Sequence, residues 1–180
     1  MKQYEKRLKH LKRAAPELFN SPGALLYIGA RASRCDYIQE LHDAGNDITV
    51  IEGFQDNFLS LKEDTRIGQL ILMNVLDLPE YNLPDGHFDY VVFWHGPEHL
   101  DDKDVFRCVR ELERICRKTV VLATPWGRVE QGVAYGNPLE VHRTHFLPEH
   151  FHELGYETDV IGTKGTMGSC LIAWRKRWQR

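Results

Sequence analysis

Apolar positions along this 180-residue chain fall into short runs bounded by turn residues. Ala24-Leu25-Leu26-Tyr27-Ile28 is the first, and residues 48–51, 69–73, 88–94 and 119–123 repeat the form. Continuous apolar runs of this length read as strands buried on both faces, the condition of a parallel sheet. Between them the spacing becomes helical. Tyr37, Ile38 and Leu41 make one inner face, with Ser33 as a cap and Gly45 as the stop. Residues 55–62 predict a shorter helix. From Asp101 or Asp102 onward, Val105, Val109, Leu112 and Cys116 form a stripe, with Glu113 and Arg117 free to pair outside it. Ahead of the first strand, Tyr4, Leu8, Leu11, Ala15 and Leu18 predict an amphipathic lead-in helix that Pro16 interrupts.

The pattern changes after the fifth strand. Residues 127–146 form a loop rich in Gly, His and aromatics, and a connection of that length is functional or mobile more often than it is passive. A short helix at 148–154 is closed by Gly155, and strands at 156–161 and 170–174 follow with no helix between them. Two such strands in succession must pair as an antiparallel hairpin. Without repeats or linkers, the chain reads as one α/β domain over 1–180, with a helical lead-in at 1–22 and a core at 24–174.

Composition narrows the partners. A net charge of −3 gives no global reason to expect nucleic acid, and basic and aromatic residues do not interleave in one stripe. The basic ends, Lys2 to Arg13 and Arg175 to Arg180, are expected to be solvated. Cys35, Cys108, Cys116 and Cys170 show no paired spacing, so they read as small buried residues in a reducing cytoplasm. The apolar runs are strand-sized, so no membrane span or signal segment is expected.

The chemistry gathers where strands end. Gly29 follows the first strand, and Glu52 ends the second, in the order by which parallel sheets build nucleoside sites. The glycine turns the backbone under the ligand and the acid holds ribose hydroxyls. Asn74, Val75 and Asp77 occupy the third tip, with Asp77 equally readable as part of a turn. Trp94 and His95 end the fourth strand, followed by Gly96-Pro97-Glu98-His99. His142 and His145 sit three apart in a loop. That spacing reaches one metal most easily from a helix, so no metal site is expected; substrate contact or general-base work and plain surface histidines are the two readings left open.

Five strands alternating with helices and closed by an antiparallel hairpin resemble the class I S-adenosylmethionine-dependent methyltransferase fold. Residues 83–92 (LPDGHFDYVV) are similar to the family's lead into its fourth strand. Pro97-Glu98-His99-Leu100 resembles a signature of its small-molecule branch, and residues 145–156 resemble its entrance to the sixth strand. The resemblance implies a three-layer sandwich around a mostly parallel seven-stranded sheet, order 3-2-1-4-5-7-6, with strand 7 antiparallel. It also implies S-adenosylmethionine bound at Gly29, Arg31, Glu52, Asn74, Val75, Asp77 and Trp94. His95, His99 and His142 become the catalytic candidates, because histidine ordinarily titrates near neutral pH. The family's first loop reads acid-x-Gly-x-Gly-x-Gly. Here Tyr27, Gly29, Arg31 and Ser33 stand in those places, and three readings of Arg31 stand open: filling the site, turning outward, or clamping a carboxylate.

The expected activity is therefore methyl transfer to a polar small-molecule acceptor in the cytoplasm. Trp126, Tyr135, Asn137, Glu140 and His142 would close over that acceptor. A non-catalytic nucleotide- or anion-binding module on the same fold is the alternative. An NAD-linked oxidoreductase fits less well, lacking further loop glycines.

Overall fold

The computed structural model describes residues 3–30 and 36–177, so Arg31, Ser33 and Cys35 lie outside the described residues. The apolar runs become β1 (Ala24–Ile28), β2 (Asp47–Glu52), β3 (Gln69–Leu72), β4 (Phe88–Trp94) and β5 (Cys116–Thr124). The closing pair is β6 (Glu157–Ile161) and β7 (Cys170–Lys176). All seven form one sheet in the order β3-β2-β1-β4-β5-β7-β6. Strands β1 to β5 pair in parallel, and β7 runs antiparallel to both β5 and β6. The expected architecture and strand order are the observed ones.

Side-chain alternation explains why the central strands look uniformly apolar. Leu25 and Tyr27 of β1 join one core with Tyr90, Val92 and Trp94 of β4. Leu26, Ile28, Val91 and Phe93 point into the other. Helices α1 (Gln3–Ala14), α2 (Glu17–Asn20), α3 (Asp36–Asp43) and α4 (Gln55–Leu61) cover the first core. Helices α5 (Asp102–Ile115) and α6 (Pro148–His152) cover the second. Both faces are thus buried, as parallel sheets require.

Three expectations are corrected. Cys116 belongs to β5 rather than to the α5 stripe, because the chain passes from Ile115 into the strand without a loop. Its thiol stays buried and approaches the Asp89 carbonyl at 3.5 Å. Arg117 is consequently on a strand, where it pairs with Asp89, and Glu113 meets Arg175 at 3.0 Å and Arg177 at 4.0 Å instead. The basic ends are also more than solvated tails. The Arg7 guanidinium donates to the Ser169 carbonyl at 3.1 Å, and His10 Nδ1 contacts Asp159 at 2.5 Å beside Arg13. These bonds dock α1 across the β6–β7 hairpin.

Asp89 fastens the base of β4 to its neighbours. Its side chain is 8% exposed; one oxygen accepts from the Arg117 guanidinium at 2.6 Å and faces Lys118 at 3.1 Å. The other accepts the Ala24 N–H at 3.2 Å. That oxygen leaves room only for glycine at position 23, where a Cβ would come within 2.3 Å of it. Burial alone would raise the Asp89 carboxyl, but the bonds from Arg117, Lys118 and Ala24 outweigh it and hold the pKa below the usual 3.8. Because the folded value is the lower one, this stabilisation is present above about pH 3.8 and lost as pH falls through the folded value. Asp89→Asn is expected to cost about 1–3 kcal/mol at neutral pH, a deficit that shrinks in acid. Denaturant melts of both proteins across pH 3–7 check this.

Candidate active site

Strand order reverses between β1 and β4, and at that switch the carboxyl ends of the strands part to form a cavity of about 610 Å³. Parallel sheets place ligands at such a point, and the volume lies within the usual range for small-molecule pockets. The cavity has two chemically distinct halves.

The first half is built on β1, β2 and β3. Gly29 turns at φ +75, and among the described residues a Cβ placed there would meet nothing within 4 Å, so the backbone borders open space there. Glu52, only 5% exposed, lines the cavity from the β2 tip. One of its oxygens accepts the Ala30 N–H at 2.8 Å and the other the Phe54 N–H at 2.8 Å. Burial raises the Glu52 pKa above its ordinary value, although these two bonds and Asn57 oppose the shift. A carboxylate has about four lone-pair sites, so capacity remains for a ligand's hydroxyls. Asn74 and Val75 line the third tip. The Asn74 carbonyl oxygen already accepts from Leu76 N–H at 3.0 Å, capping a 3-10 turn over Val75–Tyr81. A ligand therefore meets its remaining lone pair and its amide group. That turn carries Asp77 away: its side chain is exposed and does not line the cavity.

Arg7 closes this half from α1. It is 9% exposed and lines the cavity, and its Nε is buried without a hydrogen-bond partner. A buried guanidinium with an unused donor suits a carboxylate. Tyr37 stands beside it, with its ring 4.6 Å from that of Trp94.

The second half is built on the β4 tip and the long loop. His95 adopts φ +52, a left-handed conformation uncommon for a side chain of this size. Its Nδ1 meets Glu98 Oε1 at 3.1 Å. Burial works against a charged His95 ring, but contacts with Cys170 and Glu98 outweigh it and raise the pKa to about 9. Burial likewise pushes the Glu98 carboxyl up, while the His95 bond and the charges of His95 and His99 hold it below its ordinary value. The Glu98 carbonyl receives the N–H groups of Arg143 at 2.8 Å and Thr144 at 3.2 Å. Those bonds pin the long loop over the cavity, where Gln131, Tyr135, Asn137, Glu140 and His142 line it.

Of the residues expected from sequence, Gly29, Glu52, Asn74, Val75, Trp94, His95, His99 and His142 share this cavity. Asp77 does not, and Arg31 lies outside the described residues. Trp126 is absent from the lining, because it bridges to Phe146 instead. Arg7, Tyr37 and Gln131 escaped notice, since they carry no local motif and reach the site only through tertiary packing.

A strand-tip acid thus lies beside an open glycine turn at the switch of a 3-2-1-4-5-7-6 sheet. The model of the family described as "Methyltransferase domain" matches residues 30–124, more than half of the chain, and the chain belongs to that family. A SAM-dependent methyltransferase from Archaeoglobus fulgidus superposes with a TM-score of 0.66 at 16% identity, covering 95% of this chain and 94% of that one. Magnesium protoporphyrin IX methyltransferase from Synechocystis PCC 6803, with bound SAM, gives 0.66 at 11% identity, covering 98% and 80%. The DhpI–SAH complex gives 0.60 at 17% identity, covering 97% and 89%. Among curated proteins, none matches the chain. Together these likenesses show that the fold is shared.

Gly96 sets the shape of the second half. A Cβ there would fall 1.7 Å from the Phe93 ring. Gly96→Ala is expected to force that buried ring aside and cost about 1–3 kcal/mol. Thermal melts of the variant check it, and an unchanged midpoint would show that the turn has slack.

Proposed function

We propose that this chain transfers a methyl group from S-adenosylmethionine to a polar small-molecule acceptor. The observation that carries the reading is one cavity with a buried acid at the β2 tip and two loop-held imidazoles at its far side. Glu52 would accept the ribose hydroxyls, with Gly29 giving close approach of backbone. Asn74 and Val75 would meet the base, and Trp94 would wall the cavity between its halves. Arg7, whose Nε is buried without a partner, would hold a carboxylate of the cofactor. When bound, the cofactor supplies an electrophilic methyl carbon on sulfonium.

The protein's own contribution is placement. Holding an acceptor in line and close supplies much of the catalysis of a bimolecular displacement. Glu98 and His95 position the loop and the β4 tip, while His99 and His142 face the acceptor. The polar lining from Gln131, Asn137 and Glu140 favours a hydrophilic acceptor over a lipid. Among the described residues no helix is long and apolar enough to cross a membrane, and Cys108, Cys116 and Cys170 are free thiols. The thiols suit a reducing cytoplasm.

Isothermal titration with S-adenosylmethionine and S-adenosylhomocysteine is expected to show saturable binding to one site per chain. Absence of heat and of thermal stabilisation at millimolar ligand would overturn the reading. Glu52→Ala is expected to weaken both ligands about ten- to a hundredfold, as the loss of a charge-assisted hydrogen bond of roughly 1.5–3 kcal/mol implies. An unchanged constant in that variant places the nucleoside elsewhere.

A further inference from the structure

Glu98, His99 and His142 converge at the acceptor end, and one potential ligand atom from each lies within 4.8 Å of the others. The three come from two segments that are distant in sequence, which the loop's bonds to the Glu98 carbonyl bring together. Spacing along the chain gave no hint of this. His142 pairs spatially with His99 rather than with its neighbour His145, whose side chain is exposed and outside the cavity lining.

The hydrogen bonds around the cluster prepare it for a cation. His142 Nδ1 lies 2.6 Å from the Val129 carbonyl, and His99 Nδ1 lies 3.3 Å from the Val141 carbonyl. A carbonyl only accepts, so Nδ1 donates in each bond, and Nε2 is the atom that each neutral ring offers to a cation. This is the outer arrangement that orients metal-binding histidines. Glu98 is organised in the same way. Its Oε1 is held by His95, while Oε2 is buried without a hydrogen-bond partner in a side chain only 2% exposed. A buried carboxylate oxygen left unpaired is costly, and a cation is one partner that removes the cost.

We propose that Glu98, His99 and His142 bind a divalent first-row transition-metal ion, with His95 as the positioning residue that orients the Glu98 carboxylate. Two imidazoles and one carboxylate suit zinc, iron, cobalt or manganese better than calcium or magnesium. Three protein ligands leave coordination positions open, and all three residues line the cavity. The acceptor class follows: a molecule that presents a hydroxyl, alone or beside a carboxylate, as an oxygen ligand. The O–H bond of a hydroxyl held there breaks with its pair staying on oxygen, and the proton passes to water. The histidines thus act through the cation instead of as free bases. The acceptor assignment rests on the methyl-transfer reading, whereas the cation site itself does not.

The test titrates Zn²⁺, and separately Co²⁺, into chelator-treated protein without any nucleoside. One equivalent is expected to bind, with Co²⁺ giving ligand-field bands in the visible spectrum. Glu98→Gln and His142→Ala are expected to weaken binding by about a hundredfold or more, and His95→Ala by roughly ten- to a hundredfold. His145→Ala should bind as the parent does. If Glu98→Gln fails to fold, His142→Ala, altered in a loop, still decides the matter. No saturable binding, or binding undiminished in His142→Ala, overturns the proposal. S-adenosylhomocysteine titrated into the same variants reads the other half independently. Its retention beside lost metal binding supports two separate subsites, and its failure in the parent protein removes the methyl donor while leaving the cation result intact.

Discussion

A carboxylate taken out of water must find donors, and Glu52 finds them just past the ends of its own strand and of the neighbouring β1. The N–H of Ala30, just past β1, and of Phe54, just past β2, both point at it. This fixes the spacing of the first two strand tips before any ligand arrives. Gly29 is held by a further bond from its N–H to the Ile51 carbonyl at 2.9 Å. The open space beside Gly29 is therefore framed by bonds running across the sheet edge. Preorganisation of that kind lowers the ordering cost of binding.

The far half of the cavity obeys a similar economy with different parts. Glu98 serves through both ends of the residue: its carbonyl pins residues 143 and 144, and its side chain engages the strained His95. Backbone strain at a strand tip persists only where neighbours over-determine it. Here the His95 N–H bond to Ala123 at 2.8 Å and the Glu98 contact supply that determination. The long loop is thus a folded wall with its own 3-10 turn at Pro138–Glu140, capped by Asn137.

Much of this was legible in the chain. Strands β1 and β4 coincide with the apolar runs because both faces of each strand are buried, and the one acid within β4, Asp89, is buried among its own partners. The terminal hairpin announced the antiparallel β7. The boundary between α5 and β5 was illegible for a physical reason. A helix stripe and a strand's inward position both demand a small apolar residue, and Cys116 satisfies either. Glu52 and Gly29 could be picked out because their role depends on place along the fold. Arg7 and the pairing of His99 with His142 could not, since those approaches are made by tertiary contacts alone. The capping role of Asn74 was hidden as well, because a polar residue after a strand looks the same whether it serves a ligand or a turn.

The seamless passage from Ile115 to Cys116 carries a mechanical consequence. With no intervening linker, α5 cannot pivot against the sheet without pulling β5, the strand lodged between β4 and β7. That side of the molecule behaves as a fixed jaw. Among the described residues, the opposite jaw is the 127–146 segment and the lead-in helix, both of which are fastened by side chains and isolated bonds instead of a ladder.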